Sequence, residues 1–231
     1  MIGKITNLFP LSIYQVSGGL SKELRDTLAK EIDTSIEASG AEAEGTWTGD
    51  VEGYHNIHKT EAFRPVFILF AKAVREYTQA MGIKEDEYDT YYTRSWGVRQ
   101  RSNKIIEPHT HAVSHLTGVY YPKVPEGSGD LALYTKEHQN ELFGGLYNVD
   151  SYGDGSIDSG NPLCSDSHGI KVTEDLLVLF PSKTPHKTTP NVSNKSRYSI
   201  STDILFVLKD AHKKEHGIPP IEEWRKTTAY G

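Results

Sequence analysis

Residues 107–122 read EPHTHAVSHLTGVYYP and join three histidines, spread over seven positions, to an apolar and aromatic run. The run LTGVYY is short and rich in Val, Tyr and Thr, which is typical of a buried β-strand. Because successive side chains of a strand alternate between its faces, His109 and His111 are expected to point the same way. The segment therefore predicts a sheet with two imidazoles on one face.

The same period of two recurs in short segments from about residue 88 onward. Besides LTGVYYP, they are YDTYYTRSWGV, DLALYT, GIKV, DLLVLFP and RYSISTDILFVL. Many short strands without alternating helices are typical of a sandwich or jelly-roll sheet. Residues 88–208 are therefore the expected jelly-roll core.

Two amphipathic helices are predicted before these strands, within residues 1–87. The first has Ser21 as a suitable N-cap, apolar residues four apart from Leu20 to Ile32, and Gly40 at its end. The second shows spacings of three and four that indicate core packing, before Gly82: Phe63, Phe67, Phe70, Val74, Tyr77 and Met81. The expected fold class is mainly β with supporting helices, a double-stranded β-helix (jelly roll) whose N-terminal helices pack on one sheet.

Length and composition indicate one soluble domain spanning residues 1–231. Lys and Arg number 25 against 31 Asp and Glu, and the basic residues are scattered, so nucleic acid is not an expected partner. The N-terminus is a poor signal peptide, and no apolar stretch reaches about 18 residues. A single cysteine, Cys164, fits a reducing compartment. We therefore expect a cytoplasmic protein that binds no membrane.

Two segments are less regular than the strands. Residues 136–169 are dense in Gly, Asp and Ser, and a connection of this length is interpreted as a lid or a long hairpin. The tail, residues 209–231, is polar except for Ile218, Ile221 and Trp224. These side chains could clamp the tail to the body or to a second subunit in a homodimer, and the sequence favours neither.

A third histidine could complete a metal site with His109 and His111. His186 follows an apolar strand at a Pro-bounded turn in LLVLFPSKTPHKTTPN, where its side chain can lean over the sheet. Three nitrogen donors on one face, with positions left for substrate and oxygen, suit a non-haem Fe(II) centre. By itself His-x-His is a weak signal, and surface or hydrogen-bonded histidines are the alternative.

The other histidines are not expected to bind the ion. Strand alternation would put His115 on the same face as His111, but too far along the strand to share the ion easily. Five further histidines lie in polar stretches and are expected to face solvent: His58, His138, His168, His212 and His216.

The last predicted strand carries a second polar pattern. In RYSISTDILF, Arg197 and Ser199 share the less apolar face with Ser201 and Asp203. A buried guanidinium among apolar strands is costly unless an anion meets it. One interpretation is a structural ion pair with an internal carboxylate. The other is a site for a small dicarboxylic acid, held by charge-assisted hydrogen bonds worth about 1.5–3 kcal/mol each.

Taken together, these motifs resemble the Fe(II)- and 2-oxoglutarate-dependent oxygenases, most of all the small stand-alone members from bacteria and phages. The shared order is Trp96, PHTH at 108–111, LTGVYY at 116–121, the segment 177–186 ending in His186, and RYSIS at 197–201. The resemblance covers residues 88–207 well and the N-terminal third loosely. It implies a dioxygenase that uses Fe(II), 2-oxoglutarate and O₂ and hydroxylates a C–H bond with release of succinate and CO₂.

The resemblance also implies roles for single residues. His109 would be the first iron ligand and His186 the distal one, while Arg197 and Ser199 would hold the C5 carboxylate of 2-oxoglutarate. Tyr121 lies in a segment similar to the tyrosine-bearing strand of prolyl hydroxylases and is a further contact, with Thr117 and Tyr120 as weaker candidates.

One position departs from the wider superfamily, which has His-x-Asp or His-x-Glu where this chain has His111. Either His111 is the third iron ligand, which we favour, or it lies behind the ligands. In the second case, water or a remote carboxylate completes the coordination sphere.

Two other classes of protein stay open. A metal cupin, whether an isomerase, a thiol dioxygenase or a sugar-binding module, would also show His-x-His on a jelly-roll strand and a distant His. It normally adds a Glu where this chain has His115, and it has no need of Arg197 and Ser199. A non-catalytic jelly roll, such as a virion or scaffold component, needs no converging histidines. The prime substrate is open among a protein side chain, a free amino acid and a small metabolite.

Overall fold

Two α-helices and eight strands make up the regular structure of the described residues. The computed structural model describes residues 3–40, 48–49, 53–135, 137, 140–147, 157, 161, 163–212 and 214–230. Along the chain the elements are β1 (Tyr14–Ser17), α1 (Lys22–Ala38), α2 (Arg64–Ala80), β2 (Tyr88–Gln100), β3 (Leu116–Lys123), β4 (Leu131–Tyr134), β5 (Ser167–Ile170), β6 (Leu176–Pro181), β7 (His186–Thr188) and β8 (Arg197–Leu208). Short 3₁₀ turns lie at Ile57–Lys59, Glu61–Phe63, Ile221–Glu223 and Thr227–Tyr230.

Both predicted helices form, with the expected signals at their ends. The hydroxyl of Ser21 accepts a hydrogen bond from the Leu24 N–H (3.3 Å), which caps the start of α1. Gly40 and Gly82 follow the two helices in the left-handed region, at φ +69° and +73°. The second helix begins at Arg64, because the residue before it ends a 3₁₀ turn.

The strands form two antiparallel sheets that match the predicted jelly roll. The larger sheet has the order β1-β6-β3-β8-β2, and the smaller one has the order β5-β4-β7. Strand β1 was not predicted; it pairs with β6 from Tyr14↔Leu179 to Ser17↔Leu176 at the sheet edge. The expectation of a mainly β, jelly-roll fold is confirmed.

Alternation along the strands separates two cores. On β3, Leu116 and Tyr120 pack with both helices in the first core, while Val119 and Tyr121 belong to a second core together with residues of the smaller sheet such as Leu131. The helices therefore cover one face of the larger sheet, as predicted, and its other face turns toward the smaller sheet.

Two glycines mark where the helices approach the sheet most closely. A Cβ atom on Gly118 would lie 2.6 Å from the ring of Phe70 in α2, and one on Gly97 would lie 2.8 Å from Cγ1 of Ile32 in α1. A side chain at either position would push a helix off the sheet.

The two irregular segments differ in how they are held. β4 pairs with β5 from Leu131↔Ile170 to Tyr134↔Ser167, so the two strands are the arms of a long hairpin, one of the two alternatives, and residues 167–169 of the predicted segment belong to β5. The tail is held on the body because the Leu208 N–H donates to the carbonyl of Ile218 (2.8 Å), whereas Ile221 and Trp224 are exposed.

No helix in the described ranges combines the length and apolar character needed to cross a membrane.

Candidate metal centre

Backbone hydrogen bonds bring three histidines from two parts of the chain together. The N–H groups of His109 and His186 each donate to the other residue's carbonyl (3.0 Å), and the His111 N–H donates to the carbonyl of Ser182 (3.0 Å). The ring centroids of His109 and His186 lie 4.2 Å apart, and those of His111 lie 5.2 and 5.1 Å from the two. The predicted convergence of these imidazoles is therefore observed.

One nitrogen from each of the three rings lies within 4.8 Å of the other two. This spacing places three donors around one point where a cation could lie. In the described part of the chain, no other group of His, Cys, Asp and Glu side chains comes together in this way.

The hydrogen bonds of His109 and His186 determine which ring nitrogen carries the lone pair. Nδ1 of His109 lies 2.8 Å from the carbonyl of Glu107, and Nδ1 of His186 lies 2.9 Å from the carbonyl of Thr184. Because a carbonyl oxygen can only accept, each Nδ1 carries the proton and Nε2 carries the lone pair. Both rings therefore have the tautomer that a metal ligand needs.

Burial keeps these two rings neutral. It lowers the pKa of His186, whose exposed fraction is 5%, to about 3, and it lowers the pKa of the half-buried His109. Metal binding requires the neutral imidazole, so neither ring must lose a proton at neutral pH before it binds an ion.

His111 is held by a carboxylate that the sequence analysis did not assign to the site. Its Nδ1 hydrogen-bonds to Oδ1 of Asp203, which is 2% exposed, and its ring stacks on Trp96 with centroids 5.6 Å apart. The sequence signal for Asp203 was its place on the same face of β8 as Arg197 and Ser199.

Arg197 lies deep between the two sheets, with an exposed fraction of 2%. Nη1 donates to the carbonyl of Gly129 (2.8 Å), Nη2 donates to Oε1 of Gln100, and the guanidinium carbon lies 5.7 Å from the ring centroid of Tyr121. Burial lowers the pKa of Arg197. Among the described residues no carboxylate oxygen lies within 4.0 Å of it, so they contain no structural ion pair at this position.

One narrow cavity of about 30 Å³ joins the histidines to Arg197. All seven side chains predicted for the site line this cavity: His109, His111, Thr117, Tyr121, His186, Arg197 and Ser199. Trp96, Val119 and Leu131 supply apolar walls. The weaker candidate Tyr120 is on the other face of β3, where its hydroxyl donates to Asp175 (2.7 Å).

His115 takes no part in the cluster, but for a different reason from the one expected. The chain turns at Ala112 and Val113, so strand alternation does not extend from His111 to His115. His115 is exposed, and its Nδ1 accepts a hydrogen bond from the Phe206 N–H (3.1 Å).

The expectation that His58 faces solvent is wrong. Its Nδ1 lies 2.7 Å from the hydroxyl of Ser95, and its ring packs 5.9 Å from the rings of both Phe67 and Tyr92. Partial burial against these aromatic rings lowers the pKa of His58. His168, His212 and His216 are exposed, and His138 lies outside the described residues.

Comparison with known proteins gives a family and a fold. Residues 94–203 match the family described as "Putative 2OG-Fe(II) oxygenase". No curated protein is significantly similar to this chain. The matched range contains every motif in the order described above, from Trp96 to RYSIS at 197–201.

Three solved structures share the fold at low sequence identity. The chain is 14% identical to a Pseudomonas putida prolyl-4-hydroxylase (TM-score 0.51; 84% of this chain and 86% of that one). It is 11% identical to HygX from Streptomyces hygroscopicus, solved with nickel and 2-oxoglutarate bound (0.53; 90% and 92%). It is 14% identical to AviO1 from Streptomyces viridochromogenes Tue57 (0.52; 84% and 89%).

The family match, the jelly-roll fold and the histidine cluster agree with one another. The chain carries a 2OG-Fe(II) oxygenase domain and is a 2-oxoglutarate-dependent dioxygenase that uses Fe(II) and O₂.

Proposed function

We propose that His109, His111 and His186 hold the Fe(II) of this dioxygenase and that Arg197 and Ser199 bind the C5 carboxylate of 2-oxoglutarate. The observation that carries the proposal is one cavity with three converging imidazoles in its wall and a buried guanidinium whose two acceptors among the described residues are neutral. A cation and a dicarboxylate match these two features.

The donor set fits iron. Three imidazole nitrogens would occupy part of the coordination sphere of Fe(II) and would leave positions for the co-substrate and O₂. When bound, Fe(II) supplies the redox chemistry that couples conversion of 2-oxoglutarate into succinate and CO₂ with hydroxylation of a C–H bond. The protein binds and orients the reactants, and Trp96, Val119 and Leu131 exclude water from the cavity.

Arg197 is suited to one end of a dicarboxylate. A guanidinium carries five N–H donors, and the carbonyl of Gly129 and Oε1 of Gln100 are the two acceptors described for it. The remaining donors can form a two-pronged contact with a carboxylate, worth about 1.5–3 kcal/mol per charge-assisted bond. Without a directly paired anion, a cation this deeply buried carries a desolvation cost that the negative charge of Asp130 offsets only in part.

Ser199 and Tyr121 extend this contact. Ser199 lies two residues along β8 from Arg197 and lines the same cavity. Burial raises the pKa of Tyr121 to about 12, so its phenol stays protonated and can donate to the co-substrate. Thr117 is fully buried on the same wall, where its hydroxyl contacts that of Ser182 (2.9 Å), and we assign it a supporting role.

The whole chain is proposed to work as one domain, with α1 and α2 supporting the larger sheet. The single cysteine supports a reducing, cytoplasmic compartment. The prime substrate is a protein side chain, an amino acid or a small metabolite. Screening of peptides and metabolites for 2-oxoglutarate-dependent succinate release identifies which of the three classes is used.

Calorimetric titration of 2-oxoglutarate into protein loaded anaerobically with Mn(II) tests the assignment. Arg197→Ala should raise the Kd of 2-oxoglutarate at least roughly tenfold, since a factor of ten corresponds to about 1.4 kcal/mol. Arg197→Lys keeps the charge but loses the planar geometry, so it should bind weakly. Mn(II) affinity should be unchanged in both variants.

Arg99 offers a matched control. It is a second buried arginine, on the neighbouring strand β2, and its Nη1 donates to Asp33 (2.7 Å) outside the cavity. Arg99→Ala should lower the unfolding temperature and leave the Kd of 2-oxoglutarate unchanged. Wild-type affinity in a folded Arg197→Ala variant would refute the co-substrate site and return the metal cupin as the better explanation.

A further inference from the structure

We propose that Asp203 is a positioning residue of the metal centre, which orients His111 and places a negative charge directly behind it. The inference rests on the proposed function, because it takes His111 as an iron ligand. In the wider superfamily a carboxylate occupies the position of His111. Here the structure pairs that histidine with a carboxylate from β8, 92 positions away in the sequence.

The contact determines which nitrogen of the His111 ring carries the lone pair. Asp203 accepts from Nδ1 of His111, so the lone pair of the ring lies on Nε2, as it does in His109 and His186. Three separate acceptors thus determine which nitrogen of each ring carries the lone pair. Two of these are backbone carbonyls, and the third is an acidic side chain.

Asp203 is placed behind the cluster rather than within it. Its carboxylate is not part of the group of ligand atoms that lie within 4.8 Å of one another. Among the described residues, no Lys or Arg nitrogen lies within 4.0 Å of this carboxylate, and the neutral ring of His111 is its nearest basic group. A carboxylate with an exposed fraction of 2% and no Lys or Arg partner is costly, which a nearby divalent cation would offset.

A short chain of hydroxyl groups holds the carboxylate in place. Ser114 donates to Oδ1 of Asp203 (3.3 Å) and lies 2.7 Å from the hydroxyl of Ser182, which in turn lies 2.9 Å from that of Thr117. These neutral hydroxyl groups hold the carboxylate by hydrogen bonds and do not neutralise its negative charge. Together with Trp96, which stacks on His111, they leave the imidazole little freedom to turn.

The consequence is electrostatic as well as geometric. Three neutral imidazoles bring no charge to a divalent ion, whereas a His-x-Asp site brings one negative charge. Asp203 restores that charge one side chain further from the ion, and its hydrogen bond makes His111 a more basic ligand.

Mn(II) titrations of the metal-free protein by calorimetry test the inference. Asp203→Ala removes both the acceptor and the charge and should weaken Mn(II) binding by about 10–100-fold. Asp203→Asn keeps an acceptor for Nδ1 but loses the charge, so its Mn(II) affinity should lie between those of the wild type and Asp203→Ala. The absorption spectrum of bound Co(II), which reports the ligand field, should change in the same order.

Asp33→Asn is the control. Asp33 also accepts hydrogen bonds from the larger sheet, from Arg99 and Tyr198, but it lies on the face of that sheet that the helices cover. It should lower the unfolding temperature and leave Mn(II) affinity unchanged. In a His111→Ala background, Asp203→Asn should have little further effect on Mn(II) affinity, because Asp203 acts through His111.

The possible failures are distinguishable. If the wild type binds Mn(II) and His111→Ala weakens binding, but folded Asp203→Asn and Asp203→Ala both bind as the wild type does, the role of Asp203 is refuted and the iron site stands. Equal losses from Asp203→Asn with and without His111 would also refute it. A wild type that binds no Mn(II) would refute the proposed function itself.

Discussion

The position of a single proton on each imidazole decides whether the histidine cluster can bind a metal ion. In His109 and His186 that proton is directed to a backbone carbonyl, which is a local feature: both acceptors lie two residues before the histidine in the sequence. The two rings are therefore prepared as ligands by the segments that carry them. Substitution of either one removes a nitrogen ligand and leaves the residues of both hydrophobic cores in place.

The first prediction concerns these two ligands. His109→Ala and His186→Ala should abolish Fe(II) retention, measured by metal analysis after anaerobic loading and desalting, because two nitrogens cannot hold the ion against dilution. Circular dichroism should show an unchanged fold. The exposed His115 is the control, and His115→Ala should retain the metal. Wild-type iron content in His186→Ala would show that the ligand set is wrong.

The second prediction concerns the stability of the metal-free protein. The pKa of His186 is about 3 in the folded protein and about 6.5 when unfolded, so between these values only the unfolded chain binds the proton. Its contribution to stability is therefore complete above about pH 6.5 and is lost as the pH falls toward 3.

Denaturant unfolding in the presence of a chelator measures this effect. From about pH 7.5 to about pH 5.5 the wild type should lose about 1 kcal/mol more stability than His186→Asn, whose amide can still donate to Thr184 but does not titrate. Equal losses in the two proteins would show that His186 is not held neutral by burial.

At this scale the sequence predicted which side chains converge at the cavity better than it predicted the groups that support them. His109, His111, His186, Arg197 and Ser199 were found from strand alternation and from the order of the motifs in the sequence, and all five line the cavity. Asp203 was missed as a partner because its contact with His111 exists only after β8 joins the sheet. His58 was misjudged because its neighbours in the sequence are polar, whereas the rings that cover it, Phe67 and Tyr92, come from α2 and β2.

Strand β8 is the element that organises the site. It lies between β3 and β2 in the larger sheet, and its inner face presents Arg197, Ser199 and Ser201 to the cavity and Asp203 to Nδ1 of His111. Its other face carries Ile200 and Ile204 into the core under the helices. The packing of the helices on this sheet therefore supports the positions of the polar side chains on its opposite side.

The third prediction tests that packing. A methyl group at Gly118 would meet the ring of Phe70 at 2.6 Å, so Gly118→Ala should destabilise the protein by about 1–3 kcal/mol in urea unfolding. A methyl group at Gly169 in β5 would meet nothing within 4 Å, and Gly169→Ala should be nearly neutral. Equal stability of the two variants would mean that α2 does not press on β3 as described.

The predicted elements were those with long or regular patterns. Both helices carry regular apolar spacing and a glycine stop, and the longer strands carry clear alternation. β1 was not predicted because it has four residues, three of them exposed, and its position depends on the edge of β6. The 3₁₀ turn Glu61–Phe63 before α2 was also not predicted, because it depends on tertiary contacts of Phe63, which is 2% exposed.

For the whole molecule, the site lies at the junction of the two sheets. His186 belongs to β7 of the smaller sheet, whereas Arg197 and Asp203 belong to β8 of the larger one. An ion and a co-substrate bound between them would connect the sheets. A ligand that binds only the folded state raises the free energy of unfolding, and the increase grows with the logarithm of the ratio of ligand concentration to Kd.

The fourth prediction follows from this linkage. At about 100 times their Kd, Mn(II) and 2-oxoglutarate should each add about 2.7 kcal/mol to stability and raise the unfolding temperature in a calorimetric scan. Arg197→Ala should keep the shift caused by Mn(II) and lose most of the shift caused by the same concentration of 2-oxoglutarate. If 2-oxoglutarate stabilises both proteins equally, it binds elsewhere.

The central claim is that one cavity binds Fe(II) and 2-oxoglutarate together, and anaerobic titration with visible absorption tests it most directly. Addition of 2-oxoglutarate to the wild-type protein with one equivalent of Fe(II) should produce a weak metal-to-ligand charge-transfer band, which appears only when the co-substrate is bound to the ion. His186→Ala should give no band, and Arg197→Ala should need at least roughly tenfold more 2-oxoglutarate to reach half of it. Absence of the band from the wild type with both components present at saturating concentration would contradict the claim.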